Sequence, residues 1–101
     1  MSGLPMIVEV EEERRIAENL AAIRHYIKSK FPGYSLTEHS VPNLYHMFTV
    51  TNLKLHRSYG LKVGWARLSD RRNTPERTRL ALNSGFVASA MVCAGDTHYS
   101  W

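Results

Sequence analysis

The chain has 101 residues, 44% of them hydrophobic and 22% charged, with one cysteine and a formal net charge of +4. That length accommodates one α+β domain over residues 1–101, able to bury roughly two thirds of its unfolded surface without metal or disulfide support. A lone Cys93 excludes an internal disulfide, no apolar run approaches the roughly 20 residues of a membrane span, and acids follow the first apolar letters, so the reading is a soluble cytoplasmic protein.

The first element is a long helix. Ile16, Leu20, Ile23 and Ile27 follow an i, i+4, i+7, i+11 stripe that Ala17 and Phe31 extend, which predicts a helix from residue 9 or 10 to 31. Glu11, Glu12 and Glu13 at its start and Lys28 and Lys30 at its end suit the helix dipole, and Pro32-Gly33 stops it. "GYSLTEHSVPN" then reads as a connecting loop.

"LYHMFTVT" alternates like a strand. Leu44, His46, Phe48 and Val50 share one face, and Tyr45, Met47, Thr49 and Thr51 the other. The apolar parity shifts after Asn52, which requires either a bulge or a turn there. "RSYGLKVGWARLSD" is a second strand with bulky odd positions (Tyr59, Leu61, Val63, Trp65) and small or polar even ones (Ser58, Gly60, Lys62, Gly64). The bulky face is assigned to the core, because it has the most apolar surface to bury.

Asn73 or Thr74 caps the next helix, Pro75 fits its first position, and Asn83-Ser84-Gly85 ends it. "FVASAMVCAG" fits a short helix or a buried strand, its alanines favouring the helix. "DTHYSW" is a β-prone tail suited to a sheet edge. The expected architecture is a long N-terminal helix, a central antiparallel hairpin or three-stranded sheet, and one or two C-terminal helices.

Chemistry-bearing patterns are sparse. His25, His39, His46, His56, His98 and Cys93 lack the short spacings of a metal site, and no phosphate-cradling glycine loop occurs. Cys93, Asp96 and His98 supply the residue types of a nucleophile, an acid and a base, but the small apolar neighbours of Cys93 suggest an inert core thiol. The expectation is a non-enzymatic protein without cofactor or metal.

Charge gives the clearest functional signal. Between Lys54 and Arg79 eight basic residues face only Asp70 and Glu76. Arg57, Lys62, Arg67, Arg71, Arg72, Arg77 and Arg79 are the candidate anion-binding residues, with Tyr59 and Trp65 interleaved and a helix start beside Arg71 and Arg72. Glu76 and Asp70 stand close enough in sequence to neutralise part of that set. The candidate partner is a nucleic acid or an acidic protein. The alternative is a protein-interaction module, a homodimer or an adaptor, using the first helix or the aromatic tail.

Overall fold

The computed structural model describes residues 3–101. In chain order it contains α1 (Gly3–Lys30), β1 (Ser35–Val41), β2 (Tyr45–Asn52), β3 (Arg57–Gly64), α2 (Trp65–Ser69), α3 (Pro75–Ser84), α4 (Val87–Ala94) and β4 (His98–Ser100). This is an α+β fold with one four-stranded sheet ordered β1-β2-β3-β4. β1, β2 and β3 pair antiparallel, and β4 lies parallel to β3.

The core lies between the helices and one face of the sheet. Ile23 and Ile27 of α1 meet Phe48 and Val50 of β2, Leu61 and Val63 of β3, Leu68 of α2, Leu82 of α3, and Val87 and Met91 of α4. Fully burying each such side chain contributes about 1.5–3 kcal/mol, and conformational entropy opposes the sum. The alternation expected for β2 and the bulky face expected for β3 are both present. The parity change after Asn52 is a turn: the Asn52 side-chain oxygen accepts from the Leu55 amide at 3.1 Å, and His56 adopts a φ of 53°.

Three local features differ from the sequence reading. The helix begins at Gly3, earlier than its apolar stripe suggests, because the stripe registers only where α1 meets the core. Glu11, Glu12 and Glu13 are therefore exposed positions within the helix and not its first turn. The segment read as a loop contains β1. It is an edge strand whose core-side positions are Leu36, Glu38 and Ser40, so it has no apolar alternation to detect. The second strand ends at Gly64, and Trp65 opens α2, its amide donating to the Leu44 carbonyl at 3.0 Å. The tail does pair on the sheet edge, as β4, and the alanine-rich segment is helical.

Two polar clusters hold α1 in place. Asn19, 1% exposed, donates to the Leu68 and Asn73 carbonyls at 3.1 and 2.7 Å and accepts from the Thr78 hydroxyl at 2.9 Å. One carboxamide thereby joins α1 to α2, to the following turn and to α3. Further along α1, Arg24 makes a two-pronged contact with Glu38 of β1 at 2.5 and 2.8 Å. Buried His46 donates from Nε2 to the same carboxylate at 2.9 Å and accepts from the Ser40 hydroxyl at Nδ1. The hydrogen bond from Arg24 is the main influence holding the Glu38 carboxyl below its ordinary value, against an opposing effect of partial burial.

Asn19→Ala should destabilise the protein by about 2–4 kcal/mol, read as a lowered urea midpoint, because it leaves buried hydrogen-bonding groups without partners. Glu38 contributes stability that is complete above its ordinary pKa of 4.5 and is lost as pH falls through its lowered native value. Glu38→Gln should therefore flatten the acid side of the stability profile in urea titrations from neutral to acidic pH. An unchanged acid limb would show that this pair does not govern acid unfolding.

Candidate functional site

The densest grouping of candidate residues forms where β3 ends and α3 begins. α2 is a short turn of helix that carries Arg67 in its last turn. Asp70 follows it, and its carboxylate folds back on Arg72, accepting from the Arg72 amide at 2.8 Å and from its guanidinium at 3.1 and 2.8 Å. These contacts, led by the side-chain hydrogen bond, lower the Asp70 pKa to about 2. Asn73 pins the turn from both ends: its side chain donates to the Arg67 carbonyl at 2.9 Å, and its own carbonyl accepts from Asn19.

α3 starts as its letters suggest. The Thr74 hydroxyl accepts from the Arg77 amide at 3.2 Å, and Pro75 occupies the first helical position. The first turn consequently offers few amides to a ligand, because Pro75 has none and that of Arg77 is engaged. Positive charge at this place comes from side chains. Arg77 projects from the first turn with one long contact, 3.4 Å, to the Arg72 carbonyl.

The fourth wall comes from the far end of the chain. Trp101 extends the parallel ladder: its amide donates to the Lys62 carbonyl at 2.7 Å and its carbonyl accepts from the Gly64 amide at 3.3 Å. Its ring lies 4.0 Å beneath the Arg67 guanidinium. Burial lowers the Arg67 pKa from its ordinary value, as expected for a cation partly withdrawn from water. Gly64, Arg67, Asp70, Arg72, Arg77 and Trp101 line an open cleft of about 580 Å³. Among the described residues, neither Arg67 nor Arg77 is paired with a carboxylate.

The other candidates are dispersed. Arg71 turns away from Arg72 and lines two smaller hollows against α1, together with Glu11 and Arg15. Arg79 lies 3.5 Å from Glu76, three residues before it on α3. Arg57 is exposed at the start of β3. Lys62 points to the sheet face away from the helices, where its ammonium sits 4.5 Å from the Tyr45 ring centroid. Tyr59 stacks near Tyr34 and Phe31, and Trp65 packs on the core, so neither expected aromatic serves the cleft.

Cys93 differs from its expected environment. It is exposed, because α4 turns that side outward, and it lines a shallow groove with Lys30, Phe31 and Val92. His98 stands on β4 opposite Gly60, on the outward face of the sheet. Among the described residues, no three metal-binding side chains converge and no helix is long and apolar enough to cross a membrane. Comparison with known protein families, with curated proteins and with solved structures returns no match.

Sequence reasoning did not assign Asn19, Asn73 or Trp101 to this site. Asn19 does carry a signal, since it shares the helix face of Ile16 and Ile23 and is a polar residue on an apolar stripe. Trp101 carries none, because only the parallel pairing of β4 brings it to Arg67. Native Cys93 should react with a thiol reagent such as iodoacetamide without denaturant, at a rate within about tenfold of the unfolded chain. Protection until global unfolding would contradict its exposed position.

Proposed function

We propose that this protein is a non-enzymatic binding domain that takes a polyanion, and specifically a nucleic acid backbone, in the cleft formed by Arg67, Arg72, Arg77 and Trp101. The observation that carries the reading is that three guanidinium groups from separate parts of the fold line one open cleft, two of them without a carboxylate partner. Guanidinium groups match phosphate oxygens in a two-pronged geometry. Arg67 is partly desolvated against Trp101, so an arriving anion strengthens its electrostatic environment instead of competing with water alone.

Arg72 takes part more weakly, because Asp70 already engages it on the surface. Arg79 is similarly occupied, and Arg57 and Arg71 act at most as outlying charges. The reading thus narrows the seven candidates to a working set of three.

The test is fluorescence anisotropy with labelled single-stranded and duplex oligonucleotides at low salt. The logarithm of affinity should fall linearly with the logarithm of salt concentration, with a slope of about −2 for two to three phosphate contacts. Arg67→Ala with Arg77→Ala should weaken binding at least about tenfold and flatten that slope, while Arg79→Ala changes affinity less than about twofold. Failure of every DNA and RNA to bind at low salt would remove the nucleic-acid reading.

A second reading, a protein-interaction module, is favoured by a different surface. Phe86, Leu80 and Val92 on α3, α4 and the corner between them are 71%, 69% and 47% exposed. Aromatic residues such as Phe86 are enriched at protein interfaces, and the flanking aliphatic side chains extend the apolar patch. The tail and the core-facing stripe of α1, the surfaces first expected to associate, are engaged within the fold. Static light scattering that shows only monomer at high micromolar concentration would remove the homodimeric form of this reading.

A further inference from the structure

The sheet has one face packed by helices and one face that belongs to no core. Tyr45 and Met47 point to that second face, and neither packs into the buried cluster. All the outward positions of β1, β2, β3 and β4 can be read from the register. They include Tyr45, Met47, Lys62, His39 and His98, several serines and threonines, and no aspartate or glutamate. A sheet face exposed only for solubility normally mixes both signs of charge. This one offers a cation, two imidazoles and hydroxyl groups around an aromatic ring.

Its relief is directional. The outward side chains of β3 are Ser58, Gly60, Lys62 and Gly64, so the strand is low at both glycines, with Tyr45 and Met47 on one side and His98 on the other. Gly60 lets β4 approach closely: a β-carbon at that position would stand 3.0 Å from the His98 β-carbon, so the neighbouring strand would have to give way. Gly64 pairs directly with Tyr45 and also lines the arginine cleft, and it has no side chain to separate the two. The uncovered face and the cleft therefore meet at Gly64.

We infer that this face is the base-binding platform of a single-stranded nucleic acid whose backbone enters the arginine cleft, an inference that rests on the cleft reading above. A base stacks on Tyr45 by displacing the Lys62 ammonium that lies 4.5 Å from the ring centroid, Lys62 then compensates an adjoining phosphate, and the strand passes over Gly64 to Arg67 and Arg77. Duplex is disfavoured, because its bases are already stacked on one another and cannot reach a flat sheet. Single-strand binding needs both features present here, an aromatic surface and a cationic track.

The experiment compares a labelled single strand of about ten nucleotides with an abasic phosphodiester strand of the same charge and with a duplex. The abasic strand reports the cleft alone. The base-bearing strand should bind about tenfold more tightly than the abasic one, and Tyr45→Ala should abolish that preference while leaving the salt slope intact. Tyr45→Phe should keep the preference. Gly64→Leu should also abolish it while leaving abasic-strand binding in place: Gly64 has φ −62° and ψ 140°, an added β-carbon meets only the Trp101 carbonyl oxygen, at 3.9 Å, and circular dichroism checks that the variant is folded.

Equal binding of base-bearing and abasic strands would overturn the platform and leave the cleft reading standing. So would a base preference untouched by Tyr45→Ala, or a duplex bound as tightly as the single strand. Absence of binding by the abasic and base-bearing strands alike would overturn the cleft reading and the platform with it.

Discussion

The arrangement around the cleft depends on one buried carboxamide. Asn19 is the polar group at the centre of the helical layer, and its three hydrogen bonds reach residues 68, 73 and 78. Each bond spans a large sequence separation, so none can form before the chain has closed on itself. In a core, a side chain with donors and acceptors accepts few arrangements, because any alternative leaves a buried group without a partner. Apolar contacts would tolerate a small slide of α1 over α2 and α3, whereas the carboxamide does not. Arg15, one turn earlier, adds a bond to the Ser69 carbonyl at 3.0 Å and extends the same constraint toward the surface.

That rigidity bears on how charge is distributed. The 67–77 segment holds four arginines, and the fold sends them in different directions. Asp70 takes Arg72 into a local turn, Arg71 faces α1, and Arg67 is pressed on an indole. Only two guanidinium groups keep their charge both uncompensated and directed at a common space. Density of arginine in the sequence is thus a poor measure of local potential; the partner assigned to each one decides.

Much of this was legible beforehand, for physical reasons. The helix stripe, the alternation in β2, the glycine face of β3 and the Thr74-Pro75 helix start all follow from local periodicity or capping chemistry, which short stretches of sequence encode directly. β1 was not legible, since its inward positions include Glu38 and Ser40, polar residues satisfied by Arg24 and His46 from elsewhere in the chain. Among the seven basic candidates, the three that converge could not be separated from the others, because convergence is set by the α2 turn after Gly64 and by the parallel return of β4. Trp65 is the tryptophan interleaved with the basic residues and, as its strand face suggests, it packs on the core; the ring that meets the cleft is Trp101. The β-prone letters before Trp101 suggest a sheet edge but do not say which side chain it meets there.

The stacking of Arg67 on Trp101 has an optical consequence. The chain contains only two tryptophans, and Trp65 is packed on the core while the Trp101 ring lies beneath a guanidinium in the cleft wall. Indole emission responds to nearby charge and to hydration. Any anion that draws Arg67 off the ring alters the surroundings of one of the two emitters and leaves the other in place. An anion that displaced Arg67 would thereby change the intrinsic fluorescence of the unlabelled protein, over a background contributed by Trp65.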